Sequence, residues 1–403
     1  MNRSQKFDIV ISGAGVAGLW QAYKLSALGY SVAILEKARC LAGFASTRNE
    51  GWLHCGTYHG GAIPVREIAV RVARQTLNGY RQTLRFAPEA VEDVASQSFA
   101  FVRNLDPDEV ESRWSEVGVP FARISDGEFA HHVPEVKIGG IAAIFRVQDK
   151  SINNRVLYEK LRDESMRHGV QFFIESEIVA FDGMRATVRT PTAVETFEAE
   201  IYLYSAGFGI KEFFLTRFDQ EIDLHLRFWK SHLIDLPRVA SHGVFYVDPG
   251  EATLMHHQQF TIAGFNSDSK AVSVPDFDPI PEQVELAKAS LRRMLCNVDF
   301  KDARPRACVK VDQEPSTEVD MFVPKVGAPY PRPQLGVTMG QPLPGHFWVL
   351  PGKMTEAPFV ADRVVEAVRN QIPAPRNLSW KNVETCQSAV PPKVADRPID
   401  LLS

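Results

Sequence analysis

Three glycines in Gly13-Ala14-Gly15-Val16-Ala17-Gly18 stand at the spacing that lets a chain hold a dinucleotide pyrophosphate. Gly13 permits a tight turn, Gly15 lets the backbone approach the pyrophosphate, and Gly18 lets a helix pack closely on a strand. The anion then rests on a helix N-terminus, where free N–H groups and the dipole favour negative charge. Glu36 follows at about the expected twenty-residue interval, and its carboxylate can accept hydrogen bonds from both ribose hydroxyls. The elements needed to position these groups are also present. Residues 7–12 read as a buried strand, Leu19, Ala22, Tyr23, Leu25 and Leu28 recur at helical spacing, and residues 32–35 read as a second strand. An ordinary βα turn is the alternative, but it does not call for the terminal acid.

At 403 residues the chain is long enough for two packed units, and 45% hydrophobic content is ordinary for a globular protein. A net charge of −4 gives no bulk electrostatic reason to expect nucleic acid or an anionic membrane as partner. Five cysteines, at 40, 55, 296, 308 and 386, are an odd number without paired spacing. Neither a disulfide framework nor a zinc site is suggested, and a reducing cytoplasm fits. No apolar run reaches the roughly eighteen residues that a spanning helix needs, and the early strand leaves no room for a signal peptide. His131-His132, just before Pro134, reads as a surface turn rather than a metal site, because no further ligand stands at clear spacing.

Downstream of Glu36 the chain gives Lys37 and Arg39, a Gly- and Ser/Thr-rich run with Ser46, Thr47, Arg48 and Asn49, and then Gly51-x-x-His54-x-Gly56. This run resembles the D-amino-acid-oxidase-type FAD-dependent oxidoreductases. Within them it is most similar to the branch of L-2-hydroxyglutarate and glycerol-3-phosphate dehydrogenases. The resemblance implies an α/β architecture: a Rossmann-like FAD-binding domain of the glutathione-reductase type, plus an α+β substrate domain with an antiparallel sheet. It implies FAD, contacted by Gly13, Gly15, Val16, Ala17, Gly18 and Glu36 and by Lys37, Arg39, Ser46, Thr47, Arg48 and Asn49. Backbone at Ile178 and Val179 is the expected neighbour of the adenine, and the small-residue turn Ala206-Gly207 the expected cover of the cofactor. Gly352-Lys353-Met354-Thr355 is the expected neighbour of the flavin pyrimidine ring, where Lys353 could stabilise negative charge.

By the same resemblance His54 is the candidate general base, since an imidazole suits proton abstraction from a hydroxyl at neutral pH. His59 is a second candidate for that role or for substrate binding. The competing reading comes from sarcosine and dimethylglycine dehydrogenases, where a comparable histidine bonds covalently to the flavin.

The expected cofactor domain is residues 1–95, 145–215 and 336–370, the substrate domain 96–144 and 216–335, and the tail 371–403. Helical spacing predicts helices over 64–84, 87–99, 106–116, 155–168 and 281–295. Strand-like runs at 224–235, 243–248, 252–257 and 260–265, separated by turn residues, predict an antiparallel sheet. That sheet carries Arg227, Lys230, His232, His256 and His257 as candidate partners for a small anionic substrate; scattered polar residues on a solvated face are the alternative.

The expected function is removal of a hydride from a C–H next to a hydroxyl, as in a 2-hydroxy acid. An amine or amino-acid oxidase of the same fold, and a non-catalytic FAD-binding sensor, are the alternatives. No second glycine fingerprint exists to bind NAD(P)H, and the electron acceptor could be oxygen, a quinone or a carrier protein.

Overall fold

The computed structural model describes residues 4–92, 97–218, 226–248, 251–272, 276–313, 338–375 and 391–398. Residues 314–335 of the expected substrate domain and 376–390 and 399–403 of the expected tail lie outside the described residues.

Strand Ser4–Ser12 is the axis of the first sheet. Phe7, Ile9, Val10 and Ile11 are all buried, as in a strand covered on both faces. It pairs in parallel with Val32–Glu36 on one side and Val194–Tyr204 on the other. The path runs Met339–Leu343, His346–Val349, Val194–Tyr204, Ser4–Ser12, Val32–Glu36 and Gln171–Ile174, with Glu177–Asp182 and Arg185–Arg189 joined through an antiparallel arm. Helix Val16–Ala27 packs beside helix Ala357–Gln371.

The second sheet runs Arg304–Gln313, Leu226–Pro237, Phe260–Val272, Ala252–His257, Gly243–Tyr246, Ser98–Val102, Ala143–Val147 and Phe121–Ile124. Every pairing is antiparallel except Gly243–Tyr246 with Ser98–Val102. Helix Pro281–Met294 turns Val284, Ala287, Leu291 and Met294, one helical stripe, into the same core as Ile234, Leu254 and Phe265.

Two compact units result: Met1–Thr47, Arg155–Leu224 and Val337–Arg397, and Arg48–Asn154, His225–Gly336 and Pro398–Ser403. These limits differ from the expected domain boundaries, since residues 48–92 and 145–154 group with the second sheet. Their local partners explain it: Trp52 and Leu53 pair with Ser151 and Lys150, and helix Arg66–Phe86 packs on helix Pro107–Val117.

Two predicted elements need correction. Within 87–99 the described residues form a short turn at Pro88–Ala90 and the start of strand Ser98–Val102 rather than a helix. Every residue of that strand is buried, and periodicity cannot tell such a run from a buried helix segment. His131 and His132 end helix Asp126–His132, whose first turn is capped by Ser125 accepting the Glu128 N–H. Among the described residues no helix is long and apolar enough to cross a membrane, and no cluster of His, Cys, Asp or Glu could hold a metal ion.

Candidate active site

The first unit contains a glycine turn whose geometry suits a dinucleotide. Gly13 has φ +103°, and a Cβ there would lie 2.7 Å from the Ser205 carbonyl oxygen. A Cβ on Gly18 would stand 2.0 Å from the Gly13 oxygen, so only glycine allows this approach of helix to strand. At Gly15 the added atom would meet only Ser46 Oγ, at 3.1 Å, leaving that side of the turn open. The Val16 N–H donates to Ser46 Oγ at 3.0 Å, and Ala17 and Gly18 complete the first helical turn. Glu36 is 7% exposed and accepts from Ala14 N–H and Ala38 N–H, both at 2.9 Å. These bonds fix the carboxylate while leaving each oxygen a further lone pair for a ribose hydroxyl. The residues fit a bound dinucleotide: an open anion seat at a helix N-terminus, and an oriented acid beside it.

Other expected cofactor residues have mixed surroundings. Lys37 and Arg39 are exposed, and Arg39 pairs with Glu175. The Thr47 hydroxyl donates to Ala42 O at 2.9 Å and Tyr158 OH to Ser46 O at 2.8 Å, so both residues shape their loop. On strand Glu177–Asp182 the Ile178 carbonyl accepts from Arg217 Nε at 2.8 Å, with Val179 beside it. Ala206 precedes the short turn Gly207–Gly209, where Gly207 takes φ +57° with nothing within 4 Å of an added Cβ. Gly352 and half-buried Lys353 lead into the turn Met354–Glu356, which runs straight into helix Ala357–Gln371 with Thr355 buried.

The second unit positions His54. Its ring stacks on Trp52 at 5.2 Å and 8°, with Tyr58 at 6.2 Å and Phe245 edge-on at 6.5 Å. His54 Nδ1 lies 4.0 Å from Asp149 Oδ2. Asp149 is fully buried, and its two oxygens accept from Cys55 N–H and the Thr57 hydroxyl. Burial pushes the Asp149 carboxyl up to about 6, against the opposing pull of the Thr57 and Cys55 hydrogen bonds and the Lys150 charge. Burial also raises the Cys55 thiol well above its ordinary range. His59 is buried on the short helix Thr57–Ala62, with its ring 5.3 Å from Tyr58.

The chain leading into His54 is pinned residue by residue. Arg306 donates to Arg48 O and Asn49 O while its Nε bridges both oxygens of Asp235, at 3.0 and 2.9 Å. Asn49 Oδ1 accepts from Gly51 N–H and Asn154 Nδ2, both at 2.8 Å. His257 Nε2 lies 2.7 Å from Glu50 O, and Ile152 N–H donates to Gly51 O at 2.9 Å. Arg48 and Asn49 thus act within this unit as structural links, and the Arg48 guanidinium stands 4.9 Å over the Phe277 ring.

Lys230, His232, His256 and His257, expected to meet a substrate anion, have internal partners instead. Lys230 is buried, paired with Asp276 and donating to Asp278 O at 2.9 Å. His256 is bonded to Thr261 Oγ1 at 2.8 Å and His242 O at 2.6 Å, and burial lowers its pKa to about 4. His257 pairs with Glu92 besides its contact to Glu50. His232 accepts from Ile280 N–H at 2.9 Å and is likewise lowered to about 4 by burial. Arg227 belongs to strand Leu226–Pro237. Lys230, His232, His256 and His257 each found a nearer partner in their own core. Sequence reasoning missed Asp149, Arg306 and Glu92, whose partners are remote in sequence, although Asp149 lies next to the predicted strand–helix junction.

A family model for FAD dependent oxidoreductases, DAO, matches residues 8–339, and the chain belongs to that family. It is therefore an FAD-dependent oxidoreductase, with FAD as cofactor. No curated protein sequence matches the chain significantly. Among solved structures it is similar to glycine oxidase from Geobacillus kaustophilus, with a TM-score of 0.67 at 15% identity over 91% of this chain and 95% of that one. FAD-bound L-alpha-glycerophosphate oxidase from Mycoplasma pneumoniae gives 0.66 at 14% identity over 91% and 95%. An FAD dependent oxidoreductase from Pseudomonas aeruginosa gives 0.66 at 16% identity over 100% and 99%. At these identities the likeness shows the fold.

Proposed function

We propose that this enzyme oxidises a small substrate by removing a hydride from a carbon that carries a hydroxyl, a 2-hydroxy-acid-like oxidation with His54 as general base. The observation that carries the reading is the setting of the His54 imidazole, stacked on Trp52 and 4.0 Å from the buried Asp149 carboxylate. A carboxylate at that distance favours the imidazolium that forms when His54 takes the hydroxyl proton. Trp52 and Phe245 restrict the ring's orientation, and the pinned backbone of residues 48–51 restricts its position. Bound FAD supplies the acceptor for the hydride. A preformed anion site at Lys230, His256 and His257 is dropped from the reading, since all three are engaged internally. A reducing cytoplasm is the proposed setting.

A glycine oxidase and a glycerophosphate oxidase share the fold, so the fold leaves the choice between C–N and C–O oxidation to experiment. Anaerobic flavin bleaching by a panel of hydroxy acids, amino acids and amines decides it. Bleaching by hydroxy acids supports the proposal, bleaching by amino acids or amines alone moves the chemistry to C–N, and bleaching by none places the substrate outside these classes. With the active substrate, His54→Asn should retain FAD and reduce it about 10²-fold more slowly, the range of a lost general base. Normal reduction would remove His54 from the role. Acid precipitation tests the covalent alternative, in which the flavin stays in the pellet.

A further inference from the structure

Residues 391–397 carry no motif and lie beyond residue 339, where the family match ends. They are nevertheless built into the cofactor-binding unit. Leu41 and Val394 form a parallel bridge, with Leu41 N–H donating to Lys393 O and Ala395 N–H to Leu41 O, both at 2.9 Å. Val394 and Leu41 are 1% and 0% exposed. Helix Asn154–Arg167 ties down both sides of the bridge: Arg162 donates to Pro392 O at 3.0 Å, and Arg155 to Asp396 Oδ1 at 2.8 Å. The two arginines stand two helical turns apart on one face, a spacing that suits a strap lying along the helix.

The segment that the strap holds is strained and touches the dinucleotide cradle. Ala42 takes φ +59°, a left-handed conformation unfavourable for a residue with a Cβ. Such a residue persists only when its surroundings over-determine it. Here Ala42 N–H donates to Ala14 O at 3.0 Å inside the glycine turn, and Thr47 Oγ1 donates to Ala42 O at 2.9 Å. The strap fixes the adjoining residue, Leu41. Four residues after Ala42, Ser46 accepts the first helical N–H, from Val16, at 3.0 Å. The path from Val394 to the anion seat is therefore Leu41, Ala42 and Ala14 on one side, and Leu41, Ser46 and Val16 on the other.

We propose that residues 391–397 are a positioning strap for FAD, holding the 40–47 loop against the glycine turn so that cofactor affinity depends on a segment outside the family match. Because coupling is reciprocal, bound FAD must in turn stabilise the strap.

Full-length apoprotein carrying Val394→Asp, titrated with FAD by flavin fluorescence, tests the coupling. The expected result is about tenfold weaker binding with faster FAD release, within the usual range of coupling between sites, and an unchanged far-UV spectrum. Arg162→Ala combined with Asp396→Ala removes the tethers without placing a charge in the core, and should weaken FAD in the same direction. That variant decides the matter if Val394→Asp does not fold. In the wild-type chain, FAD should slow hydrogen exchange at the Leu41 and Ala395 amides. Wild-type affinity in the folded variants, or exchange at both amides unaffected by FAD, overturns the proposal. A wild-type chain that binds no FAD would overturn the cofactor assignment and the strap together.

Discussion

Asp149 Oδ2 stands 4.0 Å from His54 Nδ1, yet both carboxylate oxygens already accept from the Cys55 N–H and the Thr57 hydroxyl. At 4.0 Å the pair is too far apart for a hydrogen bond, so the carboxylate sets the Cys55–Thr57 turn by hydrogen bonding and reaches His54 through its charge. The Cys55 thiol, Lys150 and Tyr80 are further titratable neighbours, and the Tyr80 hydroxyl is committed to Gln148 O at 2.8 Å. Since burial raises the Asp149 carboxyl to about 6, its charge is present at neutral pH and fades in mild acid.

Asp149 should make stability fall as pH rises. A carboxyl raised from 3.8 to about 6 binds more protons in the folded state than in the unfolded one between those values. Its contribution is fully present below about pH 4 and is lost as pH rises through 6, by roughly 3 kcal/mol at about 1.4 kcal/mol per unit. Asp149→Asn does not titrate, so the stability difference between wild type and variant should shift against the wild type over this window. Denaturant unfolding of both proteins from pH 4 to 7.5 measures it; a difference that is flat or moves the other way contradicts the assignment.

Arg306→Met should unfold more readily by about 3–5 kcal/mol, the cost of breaking one side of a buried ion pair. The change strands Asp235, whose side chain is 3% exposed, and frees the carbonyls of Arg48 and Asn49. Adding Asp235→Leu removes the stranded charge and should restore much of the stability, but not the grip on residues 48 and 49. Unfolding midpoints of the wild type and of the single and double variants give the result. A double variant no better than the single one would mean that the carbonyl contacts, not the ion pair, carry the cost.

The sequence made the cofactor cradle legible because its chemistry is local. Gly13, Gly15, Gly18 and Glu36 lie within one strand–helix–strand unit, where the positive-φ turn, the close approach of helix to strand and the anchored carboxylate are all local. Helix Pro281–Met294 and the strands around it were legible for a similar reason, since periodicity and turn residues mark them. The supports of His54 were not. His257 reaches Glu92 across 165 positions, and Arg306 reaches Arg48 across 258. No spacing rule encodes such pairs, so His257 and Lys230 looked like free anion partners until the folded core supplied their acceptors. Val394 was hidden in the same way, its bridge to Leu41 being a contact between the two ends of the chain.

Glu36→Ala should purify with much less FAD. The carboxylate accepts two backbone N–H groups, and its remaining lone pairs face the ribose hydroxyls in the dinucleotide reading. Loss of these acceptors at a buried site costs roughly 1–3 kcal/mol, equivalent to about five- to 150-fold in affinity. Glu36→Gln retains one acceptor oxygen and should fall between the two. Flavin-to-protein absorbance ratios after purification, followed by reconstitution titrations, give the ranking. Equal affinity in all three proteins would detach Glu36 from the cofactor.

Lys353→Met addresses the other end of the cofactor. Lys353 immediately precedes the turn Met354–Glu356 and helix Ala357–Gln371, so its side chain and the amides of that turn are presented from one short stretch of backbone. In the family reading this stretch borders the flavin pyrimidine ring, where reduction places negative charge. A nearby ammonium stabilises that charge, whereas methionine fills a similar volume without it. The variant should therefore show a lower flavin reduction potential and weaker binding of sulfite, whose adduct carries the same charge. A partly exposed charge contact of about 1 kcal/mol corresponds to roughly fivefold in sulfite affinity. Raising the salt concentration should shrink the difference between wild type and variant, since screening acts only on the charged side chain. An unchanged potential and unchanged sulfite affinity at low salt would place Lys353 away from the ring, leaving the N-terminal turn of helix Ala357–Gln371 to carry the stabilisation through its amides alone.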